Sequence, residues 1–356
     1  MQTTRDEYTG VPDRPLNQGS RPARRGRRPW VAGALTALCT ALLPGTTAHA
    51  SADDGPHQQA DTAYVTNVLG DTVSVIDTRN NRVVRTINVG DRPFDVAVDV
   101  PRARAYVTNV NDDNVSVIDT TTNQVVGSPI PVGNAPFGVA VDETRARAYV
   151  ANDFASTVSV INTNTNTVVT TIFLGAGNFP NGVAVDPARA RAYVANESGN
   201  SVSAIDTNTN TVVATIPVGT EPEEVAVDTT RARAYVTNSD DDTVSVIDTT
   251  ADQTIGSAIP VGSNPFAVAV DPRNPRAYVT NAQGDTVSVI NTITNQVVGS
   301  PIPVGDGPAG VAVDPRRDRA YVSNTSADTV SVINTGNNRV VRTIRVGDGP
   351  VGIAAF

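Results

Sequence analysis

A tyrosine followed by valine, with asparagine three residues after it, returns along this chain at Tyr64, Tyr106, Tyr149, Tyr193, Tyr235, Tyr278 and Tyr321. The spacings are 42, 43, 44, 42, 43 and 43 residues. A period of 40–45 residues belongs to propeller blades or to helical repeats, and the pattern inside the repeat decides between them. No 3.6-residue apolar period runs through it. Each unit instead holds four short runs rich in Val, Ile, Tyr and Thr, such as "FGVAVD" (137–142), "RAYVAN" (147–152), "TVSVIN" (157–162) and "VVTTIFL" (168–174), each bounded by turn residues. Four short antiparallel strands per unit make one blade, and near-continuous apolar strands are expected where both blade faces are covered by neighbours.

The connections carry turn chemistry. "DTTTN" and "NTNTN" place Asp, Asn and Thr side chains where they bond their own backbone. "VGDRP", "VGNAP" and "VGDGP" lead into the next unit, with Pro just ahead of a strand, where it removes no ladder bond. The first strand after the N-terminal region, "TAYVTN" (62–67), is a second strand, and the last run, "VGIAAF" (351–356), is a first strand without a successor. Pairing the two closes the ring and leaves no open sheet edge between the ends. The expectation is an all-β, seven-bladed β-propeller of four-stranded antiparallel blades over residues 62–356, one blade taking its first strand from the C-terminus and three from the N-terminus.

The composite phrase "AYVTN…TVSVIDT…VVxTIxVG…P…VAVD" closely resembles the YVTN family of β-propeller repeat proteins, over about residues 61–356. The resemblance implies a secreted or surface-type propeller. Its more distant seven-bladed relatives include lactonases, streptogramin lyases and the propeller subunits of quinoprotein dehydrogenases, so it fixes architecture and leaves activity open.

Residues 1–50 read as an export signal: an Arg-rich polar stretch, the short apolar run "VAGALTALCTALL", and "AHA" ending at Ala50. The apolar run is too short to span a membrane. Arg27 and Arg28 in "RRPWV" resemble a twin-arginine pair. Residues 51–61 are expected to form a disordered leader, and the mature protein to be secreted or extracytoplasmic. Cleavage after Ala50 leaves 20 Arg against 33 Asp and Glu, a net charge of −13. Such a surface suits solubility and opposes general binding to a phosphate backbone, so nucleic acid is an unfavoured partner. No cysteine remains to form a disulfide.

The catalytic inventory is short. His57 is the one histidine after the signal and lies in the leader, so no histidine base or histidine metal cluster belongs to the propeller, whereas the streptogramin lyases that it distantly resembles depend on a central histidine. There is no lysine and no Cys-x-x-Cys-His haem attachment site. Carboxylates, hydroxyls, amides, Arg and Tyr remain.

Chemistry is therefore sought where the copies disagree. The loops entering the first strand and those between strands two and three share one face of a propeller. The two residues after the entry proline vary most: Phe94-Asp95, Phe137-Gly138, Asn181-Gly182, Glu223-Glu224, Phe266-Ala267, Ala309-Gly310 and Val351-Gly352. The unit at "GAGNFPNG" inserts two residues and brings Phe179. Variable loops on a uniform scaffold are where ligands bind, so Phe94, Asp95, Phe137, Phe179, Asn181, Glu223, Glu224 and Phe266 are the candidate ligand-binding residues at the channel mouth. Adjacent strand residues point to opposite sides, which separates Glu223 from Glu224. The acidic loops "NVNDDN" (109–114) and "NSDDDT" (238–243) read as hairpin turns, with calcium as the one cofactor they suggest. On the other face, Arg102, Arg145, Arg189 and Arg231 share their turns with Asp99, Asp142, Asp186 and Asp228, so local ion pairs compete with any basic binding surface.

The reading is an exported, non-enzymatic binding or scaffold propeller, monomeric, whose partner is a small molecule, a cell-wall component or a protein. Two alternatives accompany it: a metal-assisted lactonase- or lyase-like enzyme using channel-mouth carboxylates, and cell-envelope or nucleic-acid attachment through the Arg-rich face.

Overall fold

The computed structural model describes residues 61–356, and the stretches expected to be an export signal (1–50) and all but the last residue of a leader (51–61) lie outside them. Seven sheets follow one another around an axis. Blade 1 takes its inner strand, Pro350–Ala355, from the C-terminus and its other three, Thr62–Asn67, Thr72–Asp77 and Arg82–Asn88, from the start of the described chain. Blades 2 to 7 begin with the inner strands Pro93–Asp99, Pro136–Asp142, Pro180–Asp186, Pro222–Asp228, Pro265–Asp271 and Pro308–Asp314. Every pairing is antiparallel, and the middle two strands of each blade are almost wholly buried. No helix among the described residues is long and apolar enough to cross a membrane.

The fourth strand departs from the simple pattern in blades 2, 5 and 6. There it is split into two-residue pieces, Gln124–Val125 and Ile130–Pro131 in blade 2. The cause is local sequence. "VVGSPIP" puts Gly127 at φ 73° and a proline beside it, where blades 3 and 4 run on through "VVTTIF" and "VVATIP".

Two motif residues join the blades. Each repeat tyrosine is fully buried and reaches into the next blade. Tyr106 donates to Asn166 Oδ1 at 2.8 Å and Tyr235 to Asn295 Oδ1 at 3.0 Å, each with a backbone carbonyl of the same turn at 3.3 Å. Tyr321 donates to Asn81 Oδ1 at 3.0 Å and so joins blade 7 to blade 1. The main partner is thus a turn Asn, or Asp252 for Tyr193, rather than backbone alone. Burial pushes these phenols up, to about 12 for Tyr149 and Tyr235, so they serve as neutral donors.

The repeat asparagine works within its blade. Asn109 Nδ2 donates to Asn114 Oδ1 at 2.7 Å and to Ser116 Oγ at 2.9 Å, while its Oδ1 accepts from Gly90 N–H at 3.2 Å in the incoming loop. That close approach explains the "VG" before every blade but the fourth, which has "LG": a Cβ on Gly133 would stand 2.7 Å from Asn152 Cγ. Asn and Gly, 19 residues apart, are one structural unit.

On the face opposite the entry loops, Asp99, Asp142 and Asp186 are fully buried and take ion pairs from Arg102, Arg145 and Arg189 at 3.1, 3.0 and 2.9 Å. Arg102 also donates to Glu143 O and Arg145 to Pro187 O in the following blade. These arginines hold blades together, and their charge is met locally.

Ring closure rests on one strand. Residues 63–67 pair with Pro350–Ala355, and the Phe356 ring stacks on Tyr64 at 5.9 Å. Deleting residues 351–356 is expected to lower the melting temperature sharply, read by circular dichroism. Tyr235→Phe removes one buried donor bond and should cost about 1–2 kcal/mol in a denaturant titration.

Candidate functional site

Seven inner strands meet at the axis, and the second residue after each entry proline lies innermost. In order around the ring these are Gly352, Asp95, Gly138, Gly182, Glu224, Ala267 and Gly310. The backbones pass so closely that a Cβ on Gly138 would stand 2.5 Å from Asn181 O. A Cβ on Gly352 would stand 2.5 Å from Phe94 O and 2.7 Å from Asp95 Cα. Asp95 and Glu224 occupy room that their glycine neighbours vacate. Two glycines separate them on one side of the ring and three small residues on the other.

The inner strand is the edge of its sheet, so alternate N–H groups have no ladder partner and face the channel. The acids use them. Asp95 Oδ1 accepts from Val96 N–H at 2.8 Å, and Oδ2 accepts from Val139 N–H of the next blade at 2.9 Å. Glu224 Oε1 accepts from Val225 N–H at 2.9 Å. Among the described residues neither carboxylate has an ion-pair partner. Both line a cavity of about 90 Å³, together with Phe94, Asn181, Phe266 and aliphatic residues of blades 1, 6 and 7. Burial lifts the Asp95 carboxyl to about 6, against the pull of its two backbone donors. Burial, then the charges of Asp95 and Glu223, hold Glu224 well above the usual carboxylate range.

Above this pair the mouth is half apolar and half polar. Phe94 packs on Phe137 with centroids 4.4 Å apart and meets Phe266 edge-on at 6.5 Å. Val68, Ala309 and Val351 continue the apolar side. On the polar side Asn181 Nδ2 donates to Glu223 Oε2 at 2.7 Å, and Ser239 Oγ donates to Glu223 Oε1 at 3.1 Å. Of the eight residues singled out in sequence, seven therefore gather at the channel. Phe179 does not: at φ 47° in the longer entry loop, its ring meets Phe154 edge-on at 6.4 Å. It stands before its entry proline, whereas Phe94, Phe137 and Phe266 stand after theirs. The acidic loops serve the scaffold. Asp112 Oδ2 accepts from Asp91 N–H at 2.9 Å and Asp241 Oδ2 from Thr220 N–H at 2.7 Å, and the described residues contain no group of three or more metal-ligating side chains.

One feature was overlooked in the sequence. At five blade junctions the Thr or Ser of the "YVTN" phrase bridges two inner strands. Thr108 Oγ1 accepts from Asp95 N–H at 3.0 Å and donates to Phe137 O at 2.6 Å. Thr66, Thr237, Thr280 and Ser323 do the same. Ala151 and Ala195 stand at the other two junctions and have no hydroxyl. Gly138 and Gly182 N–H lose that acceptor, and Asn181 and Glu223 C=O lose that donor. These two adjacent junctions border the polar side of the mouth. The alternation "YVTN" against "YVAN" was the available signal.

No protein-family model matches the chain, and no curated protein matches it. Solved structures do. Hydrazine synthase of Kuenenia stuttgartiensis is similar, with a TM-score of 0.69 and 22% identity, over 83% of this chain and 99% of that one. A functionally unknown protein from Desulfotomaculum acetoxidans gives a TM-score of 0.71 at 16% identity, over 83% and 98%. The dihydro-heme d1 dehydrogenase NirN, in complex with DHE, gives 0.58 at 13%, over 81% of this chain and 64% of that one. The likeness is one of fold. It corrects one expectation all the same: the regular repeat was read as a non-enzymatic scaffold, and solved propellers of this form include proteins named as a synthase and a dehydrogenase. Regularity is therefore no sign of inertness. The haem in the last name finds no such ligands here. Haem iron is held by His, Cys, Met or Tyr, and the described residues contain none of the first three, while every Tyr is buried between blades.

The raised carboxyls make a stability prediction. Glu224 binds its proton more tightly folded than unfolded, so its burial destabilises the fold once pH rises above its unfolded value, and most above its folded one. The groups facing it are Asp95, Glu223 and Val225 N–H. Glu224→Gln, which keeps an acceptor for Val225, should raise the melting temperature by a few degrees at pH 8, and the gain should vanish near pH 4.

Proposed function

We propose that this propeller is an acid–base enzyme acting on a small molecule at the loop-face mouth of its channel, with Asp95 and Glu224 as the working pair. The observation that carries this reading is the ring itself: five copies hold Gly or Ala where two hold half-buried carboxylates without an ion-pair partner among the described residues. Groups with raised pKa values in a cleft are poised for proton transfer near neutral pH. Asp95, fixed by backbone donors from two blades, suits the base. Glu224, which holds its proton further up the pH scale, suits the acid. The reaction class that this pair supports is hydrolysis or elimination at a carbon–oxygen bond: the base takes a proton from water or substrate, and the acid gives one to the leaving oxygen. Phe94, Phe137 and Phe266 form the apolar side of the mouth, and Asn181 and Glu223 the polar side.

The metal-assisted variant has no ligand set of three among the described residues and is not retained. On this reading the protein works outside the cytoplasm as a monomer, in keeping with its signal and its resemblance to the YVTN propellers. A panel of small lactones and esters, assayed from pH 5 to 8, tests it. Turnover should fall at least about 100-fold in Glu224→Gln and in Asp95→Asn, with both variants still melting cooperatively. Turnover that survives both changes overturns the assignment.

A further inference from the structure

The cavity that holds the pair is built from two kinds of wall. Phe94 and Phe266 bring aromatic surface, Val268, Val311, Val351 and Ile353 bring aliphatic surface, and Asp95 and Glu224 bring the only ionisable groups. No Arg lines it, although the chain has 27 of them. Elsewhere the same fold neutralises its buried acids: Asp99, Asp142, Asp186 and Asp228 each take an Arg at 2.8–3.1 Å from within their own turn. The channel acids have no such turn. Asp95 is met only by N–H dipoles, and Glu224 Oε2 takes no hydrogen bond from the described residues.

From the aromatic and aliphatic walls facing two unneutralised carboxylates in one small cavity, we infer that the ligand is a small organic cation, an alkylammonium. Its ammonium group sits between Asp95 and Glu224 and its carbon end lies against Phe94 and Phe266. This rests on the acid–base reading above and names the ligand class of that same site: a cation is held by the doubly ionised pair, whereas turnover needs the proton on Glu224 and a carbon–oxygen bond on the ligand's carbon end, so tightest binding lies at higher pH than turnover.

Other charge types fit less well. An anion meets two carboxylates with no counter-charge, and a neutral ligand leaves the negative charge unpaired in an apolar enclosure. A hard divalent cation takes six to eight oxygen ligands, whereas half of this wall is hydrocarbon. An alkylammonium uses both halves: carboxylates accept its N–H donors, and aromatic rings attract its charge. The volume of about 90 Å³ suits a group of that size. Binding competes with protons on the two acids, and the third titratable group facing them is Glu223, so affinity rises with pH.

Calorimetric titration of the full mature chain with propylammonium, tetramethylammonium, butyrate, propanol and calcium chloride tests the inference. Propylammonium should bind, at least tenfold more tightly at pH 8 than at pH 5, while butyrate and propanol should not. Glu224→Gln and Asp95→Asn should each weaken it at least tenfold. Phe94→Leu, which keeps the apolar volume, should weaken tetramethylammonium. The variants' melting curves confirm folding, and Glu224→Gln is expected to be the more stable protein, so lost binding there is not lost structure. Calcium binding tighter than propylammonium, equal binding of propanol, or affinity that rises as pH falls overturns the inference. If propylammonium fails to bind while a neutral lactone is turned over with dependence on Glu224, the cationic ligand falls and the acid–base reading stands. Loss of both sinks both.

Discussion

Space at the axis is the constraint on which the rest of this structure depends. Seven inner strands converge there, and their backbones pass so closely that a side chain has no room at several positions. A Cβ on Gly138 would stand 2.5 Å from Asn181 O, and one on Gly352 the same distance from Phe94 O. The innermost position is therefore glycine by default, and any larger residue needs glycine on one or both sides. Asp95 lies between Gly352 and Gly138, and Glu224 between Gly182 and Ala267. A carboxylate placed there meets the unpaired N–H groups of the inner sheet edges. Among the described residues it also meets no counter-ion. Crowding thus produces both the order of the site and its unusual electrostatics.

The same crowding explains how the blades stay in register around the channel. A hydroxyl is small enough to sit between two inner strands and bond both, as Thr108 and Thr280 do. Further out, where the blades diverge, the longer tyrosine spans the gap to the next turn. On the far face, longer still, arginine reaches a carbonyl of the next blade. The three bridges differ in length as the gaps they cross differ. One repeat encodes three inter-blade fasteners, and each is matched in size to the gap it closes.

Much of this was legible in sequence because it repeats. The strands expected at 137–142, 147–152 and 157–162 agree with Pro136–Asp142, Arg147–Asn152 and Thr157–Asn162 within a residue. Short apolar runs and turn chemistry are local, so seven copies state them seven times. The split fourth strands in blades 2, 5 and 6 were missed because four-strand counting passed over the interruption at Gly127, Gly256 and Gly299, each followed by Ser. The site was legible as a position, the residues after the entry proline, and only partly as a set. Phe179 failed because it precedes its proline instead of following it, and its ring turns to Phe154. The raised carboxyl of Asp95 was invisible, since its cause is the convergence of strands from blades far apart in the chain.

Symmetry breaking carries the remaining information. A perfect sevenfold ring has a uniform channel, and a uniform channel of glycine offers no discrimination between ligands. This chain departs from uniformity at the axis in three ways on one arc: two alanines for the bridging hydroxyl, Asn181 and Glu223 for the mouth's apolar residue, and Glu224 for the innermost glycine. Surface drift would scatter such changes around the ring. Here blades 3, 4 and 5 hold them together, and Asp95 faces that arc from blade 2. The scaffold tolerates the cost because five hydroxyl bridges still hold the other junctions. A desolvated acid without an ion pair opposes stability, and a cluster of such departures in one arc of an otherwise regular fold is the asymmetry on which the proposed function rests.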